Sequence, residues 1–288
     1  MSTKNTTKHK VEFNLTTPIT YYGGKQNMVR HILPLIPDHH VYTEAFFGGG
    51  AVFFAKPKSE LETINDLNGE LVNFYQVTQR KFKELKALIS ETLNSHKSHR
   101  QAWVVYNNPE LFSDVKRAWA VWVLSAQGFG GQLSSSWGYD GGNGAKNSVA
   151  RKVKNKKFKF TSDYAERLES CSIECRDALK VITSRDGINS FHYVDPPYFN
   201  SDMGHYGGYT EENYDELLKT LSGIKGRFLL SSYPSKILDK YVKENGWYQV
   251  EVKAIVSAAK GVRKPKVEVL TANYNIVEIY RKKYPKQG

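Results

Sequence analysis

Apolar residues along the chain change spacing several times, and each change marks an element boundary. Val29, Ile32, Leu33 and Ile36 fall at helical spacing, with Pro34 placed to kink or end that helix and Pro37 to stop it. His40-Val41-Tyr42-Thr43-Glu44-Ala45-Phe46-Phe47 reads as a short buried strand. It runs into Gly48-Gly49-Gly50 and then an apolar helical stretch, Ala51-Val52-Phe53-Phe54. A second strand, Leu61-Glu62-Thr63-Ile64, ends at Asn65-Asp66-Leu67-Asn68, where a helix carrying Glu70, Leu71, Phe74 and Tyr75 begins. Strand, glycine turn, helix and strand make a βαβ opening.

From about 76 to 125 the period is helical and predicts no strand. Residues 125–149 then hold seven glycines and five serines around Phe129, Trp137 and Tyr139, a loop long enough to expect a function for it. The run 151–159, RKVKNKKFK, has six basic residues and no acid. Strand periods return at Ser172–Cys175, at Phe191–Val194 and at Phe228–Ser232, with helices over Glu211–Leu221 and Ile237–Lys243. Val250–Val256 and Glu268–Ile279 read as a terminal strand pair. The expected organisation is a flexible tail at 1–15, one α/β domain in two blocks at 16–75 and 165–288, and a helical, loop-rich insertion at 76–164. There is no internal repeat.

Composition narrows the classes. At 288 residues with 40% hydrophobic and 24% charged residues, the chain has ordinary globular character and can bury a core. A formal charge of +12 suggests a polyanionic partner, nucleic acid foremost, although some enzymes are simply basic. No apolar run approaches a membrane span, and the polar start MSTKNTTKHK lacks the core of a signal peptide. Cys171 and Cys175 are spaced C-x₃-C without a second ligand pair, which argues against zinc and for two idle thiols in a reducing, cytoplasmic compartment.

Asp195-Pro196-Pro197-Tyr198 carries the sharpest chemistry. It follows an apolar strand, so it belongs at the carboxyl edge of a sheet, where open α/β folds bind ligands. The prolines stiffen the turn and give up two N–H donors while their carbonyls remain acceptors. A carboxylate, a rigid acceptor and a stacking ring suit a flat base bearing an exocyclic amine. A plain proline turn ending a strand is the bland reading. The turn Phe46-Phe47-Gly48-Gly49-Gly50 would let a cofactor approach the backbone, or serve only as a βα turn; it lacks the spacing of a dinucleotide fingerprint, and no P-loop is present. Asp66, ending the next strand, sits where an acid binds a ribose diol or where it simply caps a helix. Tyr22-Gly23-Gly24-Lys25 is another tight turn with a cation beside it.

Taken in order, Tyr21-Tyr22-Gly23-Gly24-Lys25, Glu44-Ala45-Phe46-Phe47-Gly48-Gly49-Gly50, Asn65-Asp66 and Asp195-Pro196-Pro197-Tyr198 resemble the motifs of the DNA adenine methylase (Dam-type) family. Leu229-Leu230-Ser231-Ser232 and Glu268-Val269-Leu270-Thr271-Ala272-Asn273-Tyr274 are similar to later signatures of that family, and the resemblance spans roughly 18–280. It implies a Rossmann-like methyltransferase sheet, S-adenosyl-L-methionine as cofactor and an adenine flipped out of duplex DNA as substrate. It implies further that Tyr21, Tyr22, Gly23, Gly24, Lys25, Phe47, Gly48, Gly50, Asp66, Asp177 and Asp195 line the cofactor site. Asp195, Pro196, Pro197 and Tyr198 would then hold the adenine.

In the insertion, Phe129, Trp137 and Tyr139 are candidates to fill the gap left by the flipped base, or else pack the insertion itself. Gln132 and Asn143 are candidates for contacts with adenine in the major groove, and Lys154, Lys156 and Lys157 for phosphates. A solvated charged turn is the bland reading of that run, with Lys260–Lys266 or Arg281-Lys282-Lys283 as the other basic segments. The residues that read GATC in the best-known members are not matched from Gly130 onward, so that target does not carry over. Cytosine N4 or an RNA base as acceptor, and a catalytically silent DNA-binding relative, are the competing readings. Asp195, where many cytosine enzymes have Ser, favours adenine. A bacterial or phage protein working on DNA is implied, with room for a companion restriction nuclease.

Overall fold

The computed structural model describes residues 14–139, 148–199, 208–254 and 266–285. Its first helix, α1 (Val29–Ile32), is a single turn that tightens into a 3₁₀ turn at Leu33–Leu35, because Pro34 has no N–H with which to continue the ladder. Then come β1 (Val41–Glu44), the wholly buried α2 (Ala51–Ala55), β2 (Leu61–Asn65) and α3 (Gly69–Arg80). Asn68 caps α3 through its side chain. Three more helices follow without a strand: α4 (Phe82–Glu91), α5 (His96–Asn107) and α6 (Asp114–Gln127). After the loop stand α7 (Val149–Lys159) and α8 (Asp163–Leu168).

The α/β pattern resumes with β3 (Cys171–Glu174), α9 (Ala178–Ser184), β4 (Ser190–Val194), α10 (Glu211–Gly223), β5 (Arg227–Ser232) and α11 (Lys236–Asn245). It closes with β6 (Tyr248–Ala254), β7 (Lys266–Ala272) and α12 (Ile276–Lys283). The seven strands among the described residues join one sheet in the order β3-β2-β1-β4-β5-β7-β6. The pairs from β3 to β5 are parallel, and β7 alone runs against its neighbours β5 and β6. From β1 the chain steps outward through β2 to β3, then returns to lay β4 on the other side. The order therefore reverses between β1 and β4, and a crevice opens beyond their carboxyl ends.

Helices α3, α4, α5 and α7 pack on α6, whose residues from Ala118 to Gln127 are all buried. This layer shares one core with the sheet: Trp122, Phe74, Phe53, Tyr42 and Leu270 belong to the same cluster. The divisions expected at 75/76 and 164/165 consequently fall inside α3 and α8.

Two expectations and one bland reading need correction. Leu15, assigned to the tail, donates its backbone N–H to the Phe54 carbonyl at 3.0 Å, so chain 14–15 is already tied to α2; residues 1–13 lie outside the described residues. The last strand ends at Ala272 rather than Ile279, because Asn275 caps a new helix there by accepting from the Glu278 N–H. The basic run is no turn: it forms most of α7, capped by Ser148, with Val153 and Phe160 buried on its inner side.

Candidate active site

The turn after β1 is built from glycine by necessity. Gly48 and Gly50 have φ of 49° and 66°, and a Cβ on Gly50 would come within 2.4 Å of the Phe47 ring. Tyr75 donates its hydroxyl to the Gly48 carbonyl at 2.8 Å, and the Gly48 N–H donates to Asp66 Oδ2 at 2.8 Å. Phe47 contributes backbone only; its ring faces the core, 4.7 Å from that of Tyr75. Asn65 fastens the adjoining strand ends, donating to the carbonyls of Ala45 and Arg176 at 2.9 and 3.0 Å.

Asp66 receives one backbone N–H on each oxygen, from Gly48 and from Asn68, at 2.8 and 2.9 Å. Burial pushes its pKa above the ordinary value, and these backbone bonds pull the other way. Asp177 caps α9 at the end of β3, accepting from the Lys180 N–H at 2.9 Å with its side chain exposed. Cys175 is exposed beside it and Cys171 is buried; both are free thiols.

The Tyr21–Lys25 turn reaches across to the end of β4. The Gly24 N–H donates to the Tyr21 carbonyl at 3.1 Å, and Gly23 has φ of 73°. Lys25 Nζ donates to the Gly23 carbonyl at 2.8 Å and pairs with Asp195 Oδ1 at 3.0 Å, with side chains only 6% and 16% exposed. Tyr198 donates its hydroxyl to the same Oδ1 at 3.3 Å, and Lys25 Nζ stands 4.9 Å from the centre of the Tyr198 ring. Burial pulls the Lys25 pKa down, but the Asp195 and Glu268 carboxylates outweigh it, so the ammonium titrates above its usual value. Burial pushes Asp195 up, and Lys25 and Tyr198 offset part of that. Pro196 is buried and Pro197 partly so, and the Tyr233 ring meets Tyr198 edge-on at 4.4 Å.

Beneath this pair lies Glu44, 2% exposed, accepting from the Tyr42 hydroxyl at 2.7 Å. Burial pushes its pKa up to about 8. Glu44 and Asn65 stand in motifs read from the sequence, and Tyr75 on a predicted helix, without a role assigned to any of them; Tyr233 was missed altogether. Their signal is positional only: each stands at or near a strand end, or nearly two helix turns into α3.

The insertion distributes its candidates unevenly. Phe129 and Tyr139 are 64% and 74% exposed, while Trp137 is half-buried and bridges backbone to backbone with Gly128. Gln132 is half-buried, and Asn143 lies outside the described residues. On α7, Arg151, Lys154 and Phe158 share an exposed stripe, spaced i, i+3 and i+7. Lys156 turns inward, its Nζ donating to Thr20 Oγ1 at 2.5 Å and the Ser125 carbonyl at 3.2 Å. Lys157 reaches the Ser90 carbonyl at 3.2 Å. Lys260–Pro265 lie outside the described residues; Arg281, Lys282 and Lys283 form the last turn of α12.

A glycine turn, the strand-end carboxylate of Asp66 and a largely buried cation–carboxylate pair thus converge at the switch point of the sheet. A family model for D12 class N6 adenine-specific DNA methyltransferases matches residues 21–258, which include the Tyr21–Lys25, Phe47–Gly50, Asp66 and Asp195–Tyr198 turns. The type II methyltransferase M1.LlaDCHI of Lactococcus lactis subsp. cremoris is 26% identical over 292 residues, covering 92% of this chain and 98% of that protein. The DNA N-6-adenine-methyltransferase of Escherichia phage P1 is 32% identical over 111 residues, covering 38% of this chain and 15% of that larger protein. The chain therefore belongs to the D12 class N6 adenine-specific DNA methyltransferase family, whose reaction is methyl transfer to adenine N6 in DNA.

Proposed function

We propose that the methyl donor is S-adenosyl-L-methionine, held along the carboxyl ends of β1 and β2, and that Asp195 and Pro196 present the target adenine to it. The side chains at the site fit such a cofactor. Lys25 places N–H donors on the Gly23 carbonyl and on Asp195, and its ammonium, drawn also by Glu268, is the cation offered to the cofactor carboxylate. Asp66 accepts backbone bonds from Gly48, Asn68 and Leu67, and the lone-pair capacity its two oxygens have beyond these is what a ribose hydroxyl would use. Tyr21 and Tyr22 flank the Lys25 turn, the Phe47–Gly50 backbone lies between it and Asp66, and Asp177 stands at the next strand end. When bound, the cofactor supplies an electrophilic methyl group on a sulfonium.

The protein's part is to make N6 a nucleophile. That nitrogen's lone pair is delocalised into the adenine ring, and positive charge grows on it as it reacts. Lys25 and Tyr198 both occupy Asp195 Oδ1, which turns Oδ2 toward one amino hydrogen. The Pro196 carbonyl accepts the other, from a backbone that Pro196 and Pro197 stiffen. Both contacts strengthen as charge develops, which is the condition for acceleration. Tyr198, supported by Tyr233, supplies the stacking face. A base inside a duplex cannot reach this crevice, so the adenine enters flipped out.

The insertion, 76–164, is the DNA-binding part in this reading. Arg151 and Lys154 contact phosphates, Phe129 and Tyr139 meet the opened base pair, and Gln132 and Asn143 read the flanking bases. Work on bacterial or phage DNA places the protein in the cytoplasm; among the described residues no helix is long and apolar enough to cross a membrane. The name of the Lactococcus relative supports a companion type II restriction nuclease.

The Lys25–Asp195 pair carries this reading, because it joins the cofactor turn to the adenine turn in a single contact. The test is transfer of labelled methyl from S-adenosyl-L-methionine to duplex DNA, with the modified nucleoside identified by mass spectrometry. N6-methyladenine is expected from the wild type. Asp195→Ala should fold and lose transfer; retention of more than about a tenth of wild-type turnover, a loss below ~1.4 kcal/mol, would remove Asp195 from the chemistry.

A further inference from the structure

Lys156 sits on the wrong side of α7 for a phosphate contact and on the right side for the cofactor turn. The inner stripe of the helix is Val153, Lys156 and Phe160, and the outer stripe is Arg151, Lys154 and Phe158. Lys156 Nζ ends on Thr20 Oγ1 and on the Ser125 carbonyl, at 2.5 and 3.2 Å. Burial pulls its pKa down to about 8. Lys156 is half-buried and Thr20 exposed, so the ammonium is only partly withdrawn from water; its two hydrogen bonds, which an apolar side chain of similar length could not make, fix it on Thr20 and Ser125.

Thr20 immediately precedes Tyr21, and two further parts of the insertion press on the same segment. Gly131 has φ of 75°, and a Cβ there would stand 2.5 Å from Thr20 Cγ2. Tyr164 of α8 donates its hydroxyl to the Thr16 carbonyl at 2.9 Å. On the far side, the Tyr21 ring lies against Gly48, where a Cβ would come within 3.1 Å of it. The Tyr21 carbonyl anchors the turn that aims Lys25 at Asp195. Gly131 stands four residues after α6 and Lys156 on α7, so Thr20 is where the elements proposed to face DNA meet the cofactor turn.

We propose that Lys156 is a positioning residue that couples DNA to the cofactor: duplex held on the outer face of α7 and on residues 128–139 sets the Tyr21–Lys25 turn through the Lys156–Thr20 contact, and thereby tightens cofactor binding. The coupling rests on the reading of that turn as part of the cofactor site. It is a reciprocal linkage, so the cofactor tightens DNA binding by the same factor.

The experiment measures S-adenosylhomocysteine affinity by calorimetry with and without a duplex carrying the methylated site, on the full chain. Wild type should bind about tenfold more tightly with the duplex, within the usual range for two coupled sites. Lys156→Met should bind DNA alone within twofold of wild type yet show no gain. Thr20→Val, which deletes only the hydroxyl, should behave likewise, and Thr20→Ser should keep the gain. Lys154→Met should do the reverse, weakening DNA binding and flattening its salt dependence by up to about 0.9 while keeping the gain. Should Lys156→Met misfold, the Thr20 pair decides alone. A gain undiminished in Thr20→Val, or absent from wild type that binds both ligands, overturns the coupling and leaves the site assignment standing. Wild type that binds no S-adenosylhomocysteine overturns the assignment and the coupling together.

Discussion

Replacing Lys25 by methionine removes one charge from the centre of the site and leaves the stem in place. The pair is 3.0 Å long and largely withdrawn from water, at 6% and 16% side-chain exposure. At 3.0 Å, unit charges in an effective dielectric of about 20 attract by about 5 kcal/mol. Desolvation offsets part of this in the intact pair, but deleting one partner leaves the other charge buried, at a cost of about 3–5 kcal/mol. Asp195 escapes that cost by keeping its proton. Burial already raises its pKa, and Lys25 is the first of the groups that oppose the rise, so the variant's Asp195 must titrate higher still. A neutral carboxyl accepts poorly from the N6 amino group, and loss of one such preorganised contact costs about 100-fold or more in turnover.

The sign with pH is definite. In Lys25→Met the acid limb of turnover, measured at saturating cofactor, moves to higher pH, so the deficit is largest at low pH and narrows as pH rises. Stability goes the other way: once pH passes the carboxylate range the unfolded chain ionises Asp195 and the folded variant does not, so the melting-temperature deficit grows with pH. The assay is methyl transfer against pH, with melting curves on the same samples. A variant with the wild-type acid limb and more than about a tenth of its turnover would refute the role given to the pair.

Asp66→Ala should weaken S-adenosylhomocysteine binding by ~1–3 kcal/mol and DNA binding less, because charged hydrogen bonds are lost from a partly buried site. Calorimetry reads it, and unchanged affinity takes Asp66 out of the cofactor site. Glu44→Gln tests the acid beneath the pair. The folded protein holds this proton up to about pH 8 and the unfolded chain only to about 4.5, so wild-type stability falls as pH rises between those values. The glutamine variant lacks that loss, so its melting-temperature advantage should widen from pH 5 to pH 8; a constant difference would show that Glu44 titrates normally.

Local rules made much of this protein legible without coordinates. Apolar period and turn glycines marked five of the seven described strands closely; the first reading overran β1 by three residues to Phe47, and the last overran β7, which stops at Ala272 where Asn275 starts a helix. Those signals are short-range: an alternating run, a proline without an N–H, a glycine that alone tolerates positive φ. They also placed Asp66 and Asp195 at strand ends, because a strand's carboxyl edge can be read from where its apolar run stops.

Which side chains meet was decided by tertiary structure. Lys25 and Asp195 lie on distant segments, and only the order β2-β1-β4 brings their turns together. Arg167, fully buried against Glu62 and over the Phe53 ring, ties α8 to β2 and α2 with no sequence signal beyond one more arginine. The basic run shows the limit most clearly. Its charge was plain in the sequence, but the division of labour between Lys154 and Lys156 depends on the rotation of α7 about its own axis. Packing of Val153 and Phe160 on the core sets that rotation, and neighbours two residues apart then face opposite ways.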